Sequence, residues 1–362
     1  MFFNSHHDPK LTFRRPEWFE QVESEVLQAH TKAALFDQST LGKIRIEGPD
    51  AETFLDRLCT NNMKVPPGKM VYTALLNTRG TFEADLVAMR LSNETYLIFV
   101  GTTSVKRDLA WLKNQLQPDE QVHLTDETEL YATLALAGPE SSRAAMEVGA
   151  KELNELKYFH HTKTEIGGTS VLAMRVSFVG ESGWELVFQT DRAESVAEVL
   201  LKAGAKPAGL FAQSSMRIEK RFAVMGHELD GDVTPLEAGL EFAIDWGKDF
   251  LGREALLRIK DEEMSQSLVT IVLDDPQAVP LGNEPVWKDD AIIGKTTSAS
   301  FGYRIGSPLA LAFLKPDWGQ LQDDDRVQVD IAGKLFSGSV QHAAAFDPEG
   351  NRMREIPEIE AS

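Results

Sequence analysis

Between residues 50 and 60 the apolar positions recur at helical spacing. Phe54, Leu55 and Leu58 fall together, with Asp50 placed to cap the turn before them. A second helix is predicted after Ser104, with Val105, Leu109, Leu112 and Leu116 on one face. A third opens at Asp191, buries Val196, Val199, Leu200 and Ala203, and stops at Gly204. A fourth runs from Gly252 through Ala255, Leu256 and Ile259. Between these the period shortens to two, or gives way to brief apolar runs. Gly42–Glu47 alternates with Ile44 and Ile46 on one side, and Tyr96–Val100, Tyr131–Ala137, Val171–Phe178 and Trp184–Gln189 read as strands bounded by turn residues. Strands and helices mix without a regular βαβ rhythm, which predicts an α+β fold rather than a doubly wound parallel sheet.

The pattern changes at the charged stretch Glu262–Gln266. Beyond it strands predominate: Leu268–Leu273, Ala291–Ile293, Leu309–Leu314, Arg326–Ile331 and Leu335–Val340. This predicts a C-terminal β-barrel or sandwich of roughly 90 residues. The expected division is residues 1–264 and residues 265–354, with a polar tail after them.

Composition narrows the function classes. A chain of 362 residues with 42% apolar and 26% charged residues can bury a sizeable core without covalent staples. One cysteine, Cys59, excludes an internal disulfide and argues against a cysteine-based metal site. The formal charge of −19 disfavours nucleic-acid partners and requires that any anionic ligand be met by locally placed Lys or Arg. No segment approaches the ~20 apolar residues of a membrane span, and the N-terminus lacks the apolar core of a signal peptide, so a cytoplasmic or organelle-matrix location with no membrane partner is the default expectation.

The common catalytic motifs are absent: no dinucleotide-binding glycine loop, no phosphate-binding loop, no nucleophile elbow. The pairs His6–His7 and His160–His161 lack metal-ligand spacing, and no metal is expected. Three segments carry candidate chemistry. In Tyr72–Val87, apolar residues flank a turn at Asn77–Gly80, so Asp85 falls inside or at the mouth of a buried strand. An acid there is costly to desolvate unless it has a partner or a task, although an acid with its side chain in water is the commoner case. In Arg175–Val187, glycines at 180 and 183 permit a tight turn, after which Glu185 begins an apolar strand. It is either an outward acid or a carboxylate gripping a heterocycle through paired N–H donors. In Ser215–Leu240, Arg217 could bind an anion or pair with Glu219 or Glu228.

In their order and spacing these segments resemble the glycine-cleavage T-protein superfamily. The resemblance runs from Leu35–Lys43 and Glu47–Ala51 through Asn77–Asp85, Ala137–Pro139 and Gly180–Glu185 to Asp249–Leu256, Thr297–Ser298 and Phe346–Arg354. Arg15–Phe19, Phe36–Ser39 and Trp184 are most similar to the folate-binding half of dimethylglycine and sarcosine dehydrogenases, which also carry a flavin domain absent from this sequence.

The resemblance implies a three-domain cloverleaf, two intertwined α+β domains and a C-terminal β-barrel, around a central tetrahydrofolate site. Carried over by position, Asp85 is the expected catalytic carboxylate. Tyr72, Phe178 and Glu185 are expected to line the pterin site, with Gly101 offering backbone and Arg217 nearby. The implied activity is tetrahydrofolate-dependent one-carbon transfer, as a demethylase acting on a small methylated metabolite, an N-methyl compound favoured. Alternatives are an aminomethyltransferase served by a lipoyl carrier, a module served by a separate flavin dehydrogenase, and a non-catalytic folate protein of iron–sulfur assembly. The last usually carries a cysteine where this chain has Lys220–Gly226. Two departures stand out: Phe178 replaces the tyrosine of many relatives, and Gly80–Thr81 replaces Gly–Gly.

Overall fold

Three sheets organise residues 15–262, 264–315 and 321–356, which are those the computed structural model describes. The chain enters through helix α1 (Phe19–Thr31), which buries Val22, Val26 and Ala29, and contributes one short strand, β1 (Ala34–Asp37), to the first sheet. It then crosses to a second sheet built from β2 (Gly42–Glu47), β3 (Met70–Leu76), β4 (Phe82–Ser92), β5 (Thr95–Val100) and β6 (His123–Asp126). Helices α2 (Ala51–Leu58) and α3 (Val105–Asn114) lie within this excursion. Strand β7 (Tyr131–Ala137) returns to pair with β1, followed by α4 (Ser141–Glu147), β8 (His161–Ile166), β9 (Thr169–Met174), β10 (Gly183–Gln189), α5 (Ala193–Lys202) and β11 (Lys206–Ala208). The strand orders are β11-β1-β7-β10-β9-β8 and β3-β4-β5-β2-β6. Because the chain leaves the first sheet and comes back, the two α+β units are interwoven.

The sheets meet through an apolar layer. Met70, Met89, Leu97 and Phe99 come from the second sheet and Met174 and Val187 from the first. Helices α6 (Leu210–Glu219) and α7 (Arg253–Asp261) lead to six strands: β12 (Ser267–Leu273), β13 (Pro285–Lys288), β14 (Ala291–Gly302), β15 (Ser307–Leu314), β16 (Arg326–Ile331) and β17 (Lys334–Gln341). They close as a barrel in the order β12-β15-β14-β13-β16-β17, which resolves the barrel-or-sandwich alternative. Closure leaves no free sheet edge to pair with another chain.

Several expected elements shift. The strand expected over Val171–Phe178 ends at Met174, and Ala291–Ile293 is only the start of a strand reaching Gly302. Helices α1, α4 and α6 and strands β1, β6, β8, β11 and β13 lie outside the predicted elements, and Leu116 lies beyond the end of α3. The reason is clearest in α6, whose interior positions include Arg217 and Glu219 alongside Met216 and Ile218, so its apolar period is diluted.

Glu219 joins a knot that fastens the barrel to the interwoven pair. Arg304, with no exposed side-chain surface, binds Glu219 at 2.5 Å and Glu181 at 2.9 Å. Glu181 also accepts from His30 Nδ1 at 3.0 Å and from Arg352 Nε, on the final helix α8 (Asn351–Arg354), at 2.7 Å. Lys220 Nζ meets Asp347 at 3.0 Å. Among the described residues, no helix is long and apolar enough to cross a membrane and no His, Cys, Asp or Glu cluster could hold a metal. His6 and His7 lie outside them.

Candidate functional site

Strand alternation aims two carboxylates into the layer between the sheets. On β4, Asp85, Val87 and Met89 share one face, and Val87 and Met89 belong to the inter-sheet apolar cluster. On β10, Glu185 and Val187 share a face, and Val187 belongs to the same cluster. Each acid therefore sits one strand step beyond the apolar seal, from opposite sheets. Neither is the outward-facing acid that composition alone favours.

The Asp85 side is built by the β3–β4 hairpin. Ala74 stands opposite Asp85 and Tyr72 opposite Val87, so the Tyr72 ring lies diagonally across from Asp85 on the same face. The Tyr72 hydroxyl donates to Asp85 Oδ2 at 3.1 Å. Burial pushes the Asp85 carboxyl up to about 6; the Tyr72 bond opposes that rise, while the nearby Asp108 charge adds to it. The turn before β4 needs Gly80 in the left-handed region, at φ +81°. Thr81, which departs from Gly–Gly, is accommodated: its hydroxyl accepts from Asn77 Nδ2 at 2.8 Å and donates to the Gly231 carbonyl at 2.7 Å.

Gly101 directly follows β5, and its carbonyl accepts from the Ser104 amide and hydroxyl, each at 3.2 Å. The single proton of that hydroxyl is shared with Asp108, the shorter contact at 2.6 Å. Asp108 is buried, itself raised by desolvation, and paired with Arg107 at 3.0 Å. The sequence reading missed Asp108 because, on a helix face with Arg107 beside it, it looks like an ordinary solvated acid.

The Glu185 side is different in kind. Glu185 is 8% exposed, and no hydrogen bond reaches its carboxylate from the described residues. Desolvation alone pushes it up to about 7. The strand is set by Gly183, φ +151°, where a Cβ would stand 2.0 Å from the Leu136 carbonyl oxygen. Phe178 lies in the loop between β9 and β10, not on the strand, with its ring stacked on Phe222 at 6.3 Å.

Arg217 takes the pairing alternative. Its terminal nitrogens hold Glu228 at 3.1 Å, Ser298 at 2.6 Å and the Phe222 carbonyl at 3.0 Å. Glu219 pairs with Arg304 instead. Arg217 thus holds the backbone of Phe222, whose ring stacks on Phe178. One further aromatic escaped the sequence reading. Phe242, in the short turn Glu241–Ala243, stacks on Tyr72 at 5.9 Å with 24° between the rings, yet is 71% exposed.

Two interwoven α+β units, each presenting a carboxylate that meets no cation among the described residues, joined to a closed six-stranded barrel, define the class. The chain belongs to the glycine cleavage T-protein family. The family model for the GCVT N-terminal domain matches residues 3–248, and that for the glycine cleavage T-protein C-terminal barrel domain matches residues 266–347. Among curated relatives, mitochondrial dimethylglycine dehydrogenase of Rattus norvegicus is 32% identical over 353 residues, covering 95% of this chain and 41% of that protein. The 4-methylaminobutanoate oxidase (formaldehyde-forming) of Paenarthrobacter nicotinovorans is also 32% identical, with 42% of its length covered. The chain thus spans well under half of these two relatives. An aminomethyltransferase of Listeria monocytogenes is 31% identical over 329 residues, 90% of each chain. The solved glycine cleavage system aminomethyltransferase T from Bartonella henselae has the same fold, with a TM-score of 0.82 at 25% identity over 90% of this chain and 89% of that one.

Proposed function

We propose that this chain is a tetrahydrofolate-dependent transferase that moves a methyl or methylene unit from a small methylated metabolite, an N-methyl compound favoured, to the folate. The observation that carries the reading is Glu185: a carboxylate buried with no donor of its own asks for a ligand that brings paired N–H groups. The amino and ring N–H groups of a tetrahydropterin are such a set, and Phe178, backed by Phe222, offers a flat ring beside them. When bound, the folate supplies the weakly basic amine that receives the carbon.

Asp85 orients that amine and takes up its proton, or faces positive charge developing at the transferred carbon. Tyr72 fixes the Asp85 carboxylate, and Gly101 lends backbone from the end of β5. The Phe178 replacement removes a hydroxyl and keeps the ring face.

An aminomethyltransferase served by a lipoyl carrier is the second reading, favoured by the match to the Listeria protein over 90% of both chains. A separate flavin dehydrogenase is the partner expected under the demethylase reading. Calorimetric titration with tetrahydrofolate tests the shared core of both. Glu185→Gln, which cannot accept two N–H bonds as a carboxylate does, should weaken binding at least ~10-fold, as for loss of a charge-assisted hydrogen bond. Equal affinity in the variant, or no folate binding to the wild type, overturns the assignment.

A further inference from the structure

We propose that Asp85, Tyr72 and Phe242 form a receptor for a methylated cation, so that the one-carbon donor enters as an alkylated ammonium or sulfonium group rather than as a neutral molecule. This deepens the folate-transfer reading and rests on it.

Neither Asp85 nor Glu185 meets a cation among the described residues. Tyr72 is the side-chain partner of the Asp85 carboxylate, and the other charge that bears on it is the like-charged Asp108. Arg107, next to Asp108 in sequence, is engaged with Asp108 and the Glu83 carbonyl, Arg79 with the Gly231 carbonyl, and Arg90 with Glu52. Glu185 is equally without a cation. Arg217 is held by Glu228, Ser298 and Phe222. The reactive end of a folate is neutral, so it leaves the Asp85 charge uncompensated. The partner that can balance it is the donor.

Phe242 is among the most exposed large apolar side chains of the described residues, yet it is held in place. Its turn is fastened by Thr60, which donates to the Ala243 carbonyl at 2.7 Å and accepts from the Asp245 amide at 2.9 Å. Trp246 adds a bond to Glu241 at 3.2 Å. One face of the Phe242 ring rests on Tyr72 and extends the aromatic floor that begins beside Asp85. A carboxylate next to continuous aromatic surface is the arrangement that binds quaternary and methylated ammonium groups, through Coulomb attraction and the negative face of the rings. An ordinary packing role for Phe242 would bury the ring rather than display it.

The experiment uses choline and its uncharged carbon isostere 3,3-dimethylbutan-1-ol, titrated into the 362-residue chain with and without tetrahydrofolate. Choline should bind at least ~10-fold more tightly than the isostere. Phe242→Leu should weaken choline about 3- to 30-fold, the span of a cation–π contact, and Phe242→Trp should restore it. Asp85→Asn should weaken choline while leaving the isostere unchanged. Equal binding of the two probes overturns the proposal, as does unchanged choline binding in a Phe242→Leu protein that melts like the wild type. Tetrahydrofolate affinity is read in the same samples. A wild type that binds folate but shows no preference for choline refutes the cation receptor alone. A wild type that binds no folate refutes the transferase reading, whatever the choline result.

Discussion

The Tyr72 hydroxyl donates to Asp85 Oδ2 at 3.1 Å, diagonally across the β3–β4 ladder. This bond opposes the desolvation that raises the half-buried carboxyl, which stands at about 6 with the bond in place. If Asp85 acts ionised, kcat/KM rises with pH through about 6 and is flat above. Tyr72→Phe removes the opposing bond, so the rising limb should move upward by about one pH unit while the plateau is retained. A pH–rate profile checks this, and a limb that does not move contradicts it.

Glu185 carries a stability cost that a neutral isostere would relieve. Its folded-state value, about 7, lies above the ordinary 4.5, so the native state favours the protonated form. Ionised Glu185 therefore destabilises the fold in full above about 7, and this penalty disappears as pH falls through 7 toward 4.5. Glu185→Gln should stabilise the protein at pH 8 by up to about 3 kcal/mol, with the gain shrinking toward zero near pH 4.5. Urea unfolding across that range measures it. The same variant should lose folate affinity, the trade of stability for function expected at a binding site.

The knot around Arg304 answers a different question, how the barrel is held to the interwoven pair. Arg304→Met leaves Glu181 and Glu219 buried without their central cation. The expected loss is about 3–5 kcal/mol in urea unfolding, the scale for breaking a buried ion pair from one side. A loss below about 1 kcal/mol would mean that His30, Arg352 and backbone donors suffice.

Gly183 sets the strand that presents Glu185. Gly183→Ala would force a Cβ to within 2.0 Å of the Leu136 carbonyl oxygen, and backbone on both sides cannot yield as a side chain can. The variant should be destabilised by more than about 2 kcal/mol and bind folate weakly even where it stays folded. Gly168→Ala, with open space around the added carbon but a positive φ, is the comparison that separates backbone strain from collision.

Much of this architecture is legible in the alternation of the chain. Gly42–Glu47, Tyr131–Ala137 and Arg326–Ile331 are strands with the bounds the pattern predicts, because each is short, alternating or continuously apolar, and flanked by turn residues. The pattern misleads where polar groups go inside. Helix α6 buries Arg217 and Glu219, matched in part by Ser298 and Arg304, both distant in sequence, so no local period announces it. The strand through Val171 ends at Met174, and the Arg175 side chain reaches the carbonyls of Arg354 and Glu355, 179 or more residues away, a partnership no local pattern announces. Asp85 and Glu185 were visible as candidates, but only register across two sheets gives them a common layer. Phe242 could not be found at all. An aromatic in a short turn has no period, and its place beside Tyr72 comes from the fold alone.

The central claim is tested by incubating the pure protein with tetrahydrofolate and a panel of methylated amines, betaines and sulfonium compounds, then weighing the folate by mass spectrometry. The account predicts a folate heavier by one methyl or methylene unit with at least one donor, and loss of that product in Asp85→Asn with folate binding intact. Folate bound tightly but unchanged with every donor, or full turnover in Asp85→Asn, would contradict it.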